Sequence, residues 1–175
     1  GPVSYQLATR VEQADIRPET TDSLSYTPVS ASASALWKLD ARNSLNLAIT
    51  RSSRAPQVQE LLSDGFHHAT RSWERGNLAL NEEISYNLDL GYRFKSPWLR
   101  AEFDVFHNWA SDYIYQRRTG EFVNEEGDSD CGDACVPVSL SSQKEVLFRG
   151  YEAKLTLPML ENRQGLLELS LFSDY

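Results

Sequence analysis

The sequence has no apolar run approaching the ~18 residues that a membrane-spanning helix needs. A membrane is still open by another route, because a barrel strand takes only ~9–11 residues and only every second one must be apolar. Cations are in the minority, 17 Lys and Arg against 25 Asp and Glu, for a formal net charge of -8. A nucleic-acid partner would call for clustered Lys and Arg, so none is expected. The acidic balance suits capture of a cation, and also serves solubility alone. The N-terminus has no basic segment followed by an apolar run, so no signal peptide is present, as in a mature secreted chain or an internal piece of one. No Ser, His and acid set sits on an elbow and no Gly-rich phosphate loop occurs, so nothing commits the chain to enzymology. Cysteines number two and histidines three, so candidate metal ligands can be taken singly. With 24% charged and 41% apolar residues, the composition is not that of a disordered chain.

What is present is alternation. Segment 84–94 sets Ile84, Tyr86, Leu88, Leu90, Tyr92 and Phe94 against Ser85, Asn87, Asp89, Gly91 and Arg93. Segments 3–12, 29–40, 44–52, 98–109, 146–157 and 166–175 alternate in the same way, with Leu36 the exception in the second. Period two predicts strands that are apolar on one side and polar on the other. The connectors differ in kind. Residues 40–43, 95–97 and 158–165 are short with turn chemistry, while 13–28, 53–82 and 110–145 are long. Short turns on one side and long loops on the other are the layout of an outer-membrane barrel, with the loops outside.

A soluble β-sandwich or lipocalin-like barrel also alternates. Three features favour the membrane form. The segments run to ~10–12 residues, longer than the usual ~5–6 of soluble strands. The long connectors are too long and polar for a compact soluble domain. Aromatics gather at the strand ends, with Trp37, Tyr92, Phe94 and Trp98 near the short turns and Trp109, Tyr113 and Tyr115 near a long loop. The expected fold class is all-β, an antiparallel transmembrane β-barrel segment of about seven strands. Seven is odd and would leave open edges in lipid, so a larger barrel is expected.

The stretch from Thr50 to Tyr92 carries a pattern: Arg54-Ala55-Pro56, Glu60-Leu61, Gly76-Asn77 with Leu80 and Glu83, and Leu90-Gly91-Tyr92. With Asp112-Tyr113-Ile114-Tyr115 and Phe148-Arg149-Gly150-Tyr151-Glu152-Ala153, it resembles the C-terminal barrel of TonB-dependent outer-membrane receptors. Within that family, Gly65-x-His67-x-Ala69-Thr70 is most similar to the zinc-uptake branch, the ZnuD-like receptors. The resemblance implies a 22-stranded barrel in the outer membrane of a Gram-negative bacterium. It also implies an N-terminal plug and a TonB box, neither of which this sequence contains. The expected function is uptake of a scarce metal, zinc first, with zinc as transported ligand and no cofactor required. The expected partners are outer-membrane lipid, the TonB complex acting through the plug and box, and a metal ion or metal complex. A siderophore or haem cargo is the first alternative, with Phe66, Trp73 and Arg75 available to it. A structural or antigenic barrel piece without activity of its own is the alternative of another class.

His67 and His68 are the candidate metal ligands, since neutral imidazole is a preferred ligand of zinc. Neighbours on an extended segment point apart, so one of the two is expected at a given metal. The resemblance favours His67, and it places Asp64 where a further histidine is often found. The bland alternative is a pair of solvated loop residues. His107 falls in register with the apolar face of its strand and reads as an interfacial residue. Cys131 and Cys135 are expected to form a disulfide, with a metal-thiolate pair as the alternative. Glu125, Glu126, Asp128, Asp130 and Asp133, with Glu121, form a cation-attracting loop or simply a solvated tip.

Overall fold

The structure, a computed structural model, describes the backbone of residues 1–18, 22–162 and 165–175, with the side chains of these other than 133, 160–162, 165 and 166. The strands are β1 (Val3–Val11), β2 (Ala14–Ile16), β3 (Leu24–Tyr26), β4 (Val29–Lys38), β5 (Asn43–Arg54), β6 (Asp64–His67), β7 (Ser72–Arg75), β8 (Glu83–Lys95), β9 (Arg100–Val123), β10 (Val136–Asn162) and β11 (Gly165–Asp174). A short helix α1 (Val58–Leu62) and a 3-10 turn, Gly132–Ala134, complete the set. Seven strands, β1, β4, β5, β8, β9, β10 and β11, lie side by side in that order, each antiparallel to the next. The chain is therefore all-β in the manner of a barrel wall.

The register turns the alternation of single strands into continuous rows. Leu7, Ala33, Ile49 and Leu88 occupy one cross-strand row, and Tyr5, Ala35, Leu47, Leu90, Val105 and Tyr151 the next. This apolar face is bare: Leu7 is 80%, Ile49 55% and Leu171 54% exposed. The opposite face is polar and cross-linked. Arg93 pairs with Asp104 at 2.9 Å and Glu102 at 3.4 Å, Ser52 Oγ meets Ser85 Oγ at 2.6 Å, and Arg100 pairs with Glu168. A soluble sandwich would bury the apolar face. A wall with its apolar face bare and its polar face cross-linked fits lipid outside and a lumen within.

Leu39–Arg42 makes a tight turn. Asp40 Oδ1 accepts the N–H groups of Arg42 at 2.6 Å and Asn43 at 2.9 Å. The Arg42 amide, then the Asn43 side chain, hold the Asp40 carboxyl below its ordinary value of 3.8. At the next turn Ser96 Oγ accepts the Leu99 amide at 3.0 Å.

The long connectors hold more structure than the sequence predicts. The segment 110–145, read as a loop, is largely a hairpin, because β9 runs to Val123 and β10 begins at Val136. Its strands do not alternate visibly, since neither face above the membrane has to meet lipid. The pairing shifts register between Lys144 and Val146, opposite Asp112, whose φ is 56°. The phase changes there. Tyr113 consequently packs on Phe148 at 5.8 Å, and Phe148 pairs with Asn108 on the polar face. Tyr113 thus leaves the outer aromatic belt, while Trp109 stacks on Tyr86 at 5.7 Å within it. Segment 53–82 contains α1 and the β6–β7 hairpin, and β7 joins β10 in parallel over Val138–Leu140. Among the described residues the two buried apolar clusters, Leu61 with Leu80 and Ile114, and Val123 with Val136 and Val138, both lie in this loop crown.

Candidate functional site

The motif residues of the β5–β8 connection form a clamp. The Arg54 guanidinium donates to Glu60 at 2.9 and 3.1 Å and to Glu83 at 2.9 Å, tying the start of the loop to its end. Glu60 also accepts the Gln57 amide at 2.7 Å, which closes the first turn of α1. The backbone of Gly76 lies against Leu61 so closely that a Cβ would stand 2.4 Å from the Leu61 carbonyl. Its N–H donates to Ser63 O, and the Asn77 N–H donates to Glu60 O at 2.9 Å. The Asn77 amide group reaches Ser141 O at 3.2 Å, which seats the loop on β10. Leu80 then fills the space beside Leu61 and Ile114.

This clamp presents the β6–β7 hairpin. Pairing of Gly65 with Glu74 and of His67 with Ser72 puts His67 and Glu74 on one face. His67 Nδ1 is 3.6 Å from Glu74 Oε1. Thr70 Oγ1 bridges them, 3.1 Å from the imidazole and 2.9 Å from the carboxylate. The His67 side chain is 53% exposed and that of Glu74 18%. An open cleft beside them is lined by Gln59, Ser63, Asp64, Phe66, His67 and Glu74.

The other sequence candidates do not join the His67–Glu74 pair. Asp64 accepts the Trp73 indole N–H at 2.9 Å and lies opposite Arg75 in the β6–β7 register, on the far face of the hairpin from His67. His68 stands edge-on to Phe66 at 4.8 Å, so the two histidines diverge. Cys131 and Cys135 are joined in a disulfide across the 3-10 turn, which leaves no thiolate for a metal. Glu125, Glu126, Asp128 and Asp130 are exposed around that tip, while the Asp133 side chain lies outside the described residues. The amides of Glu126 and Asp128 donate to Asn124 Oδ1 at 3.0 and 2.8 Å, so Asn124 orders the tip. Among the described residues no three His, Cys, Asp or Glu side chains converge in a metal cage.

Glu74 was not legible as a partner of His67, because nothing in the sequence fixes the hairpin register. The residues offered to a siderophore are engaged. Trp73 and Phe66 pack against Val123, Val136 and Val138, and Trp73 lies under Gly127. Arg75 pairs with Glu121 at 2.6 Å.

A family model described as TonB dependent receptor-like, beta-barrel, matches residues 1–175. Among solved structures, the FrpB iron transporter from Neisseria meningitidis (F3-3 variant) superposes with a TM-score of 0.64 at 13% identity, covering 99% of this chain and 23% of that one. The copper transporter OprC gives 0.59 at 16% identity, covering 83% and 20%. The siderophore receptor PirA from Pseudomonas aeruginosa gives 0.58 at 18% identity, covering 97% and 35%. At these identities the likeness is one of fold, and this chain spans no more than about a third of each.

Proposed function

Because the chain belongs to the TonB dependent receptor-like β-barrel family along its whole length, we propose that its parent protein is an outer-membrane import receptor for a scarce metal, zinc before others. The family is one of transport receptors of the Gram-negative outer membrane. In this reading the loop crown captures the ion, and a plug within the barrel is remodelled by energy relayed through TonB. The observation that carries the zinc reading is the His67–Glu74 pair at 3.6 Å. Two donors bound to one tetrahedral ion at ~2.1 Å stand about 3.4 Å apart. An imidazole and a carboxylate suit zinc, and the Thr70 hydroxyl occupies the bridging place between them. Water or a further group of the receptor completes the coordination.

Zinc calorimetry on the full receptor tests this. His67→Ala and Glu74→Gln are each expected to weaken binding about tenfold or more, or ~1.4 kcal/mol. Asp64→Ala, on the other face, is expected to change little. Unchanged binding in both site variants would remove the proposal. Iron, copper or siderophore cargo, as the names of the structural neighbours indicate for those proteins, is the rival. It has less support here, because Phe66, Trp73 and Arg75 hold the loops together. Growth of a receptor-deficient strain rescued by zinc but not iron separates the two. Normal zinc uptake after deletion of the receptor would favour a structural role instead.

A further inference from the structure

We propose that Arg149 and His107 form a binding site, on the outside of the wall, for the phosphate of an outer-leaflet lipid headgroup. The two residues face each other directly across the β9–β10 pair. His107 also pairs with Leu88, in the row of Ile49, Ala33 and Leu7. Both are therefore on the lipid face, and both are exposed. From Leu157 to Arg149 the strand climbs about 20 Å toward the loops, at ~3.3 Å per residue and a tilt of ~40°. The apolar band is only ~25 Å tall, so the pair stands at its outer rim. The stacked Tyr86 and Trp109 lie one row above, where an aromatic belt meets the headgroups.

Among the described residues neither side chain has an ion-pair or hydrogen-bond partner. The nearby carboxylate on that strand, Glu145, accepts the Trp109 indole N–H at 2.9 Å instead. Donors that face each other across a ladder without an acceptor are unfavourable, the more so when both are charged. Phosphate oxygens supply the missing acceptors. A guanidinium fork fits phosphate with two parallel hydrogen bonds, and an imidazole N–H adds a third. Arg51, another cation on this face, turns its guanidinium onto the Val29 carbonyl and makes an internal comparison.

The test uses the full-length receptor in detergent, titrated with bisphosphorylated lipid A and with its dephosphorylated form, with bound lipid counted by native mass spectrometry. Arg149→Leu and His107→Leu both put an apolar side chain on the lipid face, so the barrel is expected to fold. Each variant should bind the phosphorylated lipid at least about fivefold more weakly than wild type, with the dephosphorylated lipid bound weakly and equally by all. Arg51→Leu should bind like wild type. Equal binding by wild type and both site variants overturns the proposal. So does an equal loss in Arg51→Leu, which would mean diffuse attraction, or displacement by millimolar inorganic phosphate, which would mean a free-anion site.

Discussion

Gly76 has no room for a methyl group, since a Cβ would lie 2.4 Å from the Leu61 backbone. Gly76→Ala is therefore expected to push the β5–β8 connection off α1, seen as new protease cleavage within 58–82. Leu61 is 2% exposed, and Leu61→Ala should cost ~2–5 kcal/mol of stability in the crown. Asp40 gives a pH signature at the opposite end. Its folded-state carboxyl lies below 3.8, so its stabilising effect is complete above that value and is lost as pH falls through the lowered one. Asp40→Asn should lose the effect across neutral pH, read as faster amide exchange at Arg42 and Asn43. At this scale the sequence made the residues of the clamp visible as a pattern. It did not reveal their contacts, because Arg54, Glu60 and Glu83 meet only once the loop folds back. The cysteine pair was readable because four positions and an exposed tip leave little choice.

The lipid-facing strands were legible because lipid imposes one face on them. Above the membrane that demand ends, so the upper parts of β9 and β10 carry Arg117, Arg118 and Ser139–Ser142 without alternation and read as a loop. What holds them there is the ladder itself and the cluster of Val123, Val136 and Val138. The β6–β7 hairpin depends more on side chains. It makes only a short parallel junction with β10, reinforced by Trp73 under Gly127, whose φ of 94° lets the tip close over the indole. Trp73→Ala is expected to raise amide exchange across β7 and to weaken zinc binding by displacing His67. A Cys131→Ser, Cys135→Ser double variant should leave exchange at Val123 and Val136 unchanged, because the ladder and not the disulfide closes the hairpin.

As a whole the chain divides its stabilisation between two solvents. The crown has buried clusters like those of a soluble domain, while the wall has none among its described residues and leaves its leucines for lipid to cover. The apolar row of Tyr5, Ala35, Leu47, Leu90 and Val105 runs unbroken across β1, β4, β5, β8 and β9. An arginine in place of Leu90 should cost more than one in place of Leu88, which shares the rim row of His107, because the cost of a cation on the lipid face rises to ~2–4 kcal/mol toward the midplane. The same change at Asn87 should cost far less. The decisive measurement is oxygen accessibility of single nitroxide labels along Glu83–Lys95 of the full receptor in a bilayer. Labels at Leu88 and Leu90 should be relaxed strongly by oxygen dissolved in the lipid, and labels at Asn87 and Asp89 weakly, with a period of two. Accessibility without that alternation, or with water-soluble nickel reaching Leu88 and Leu90 as readily as oxygen does, would contradict the wall.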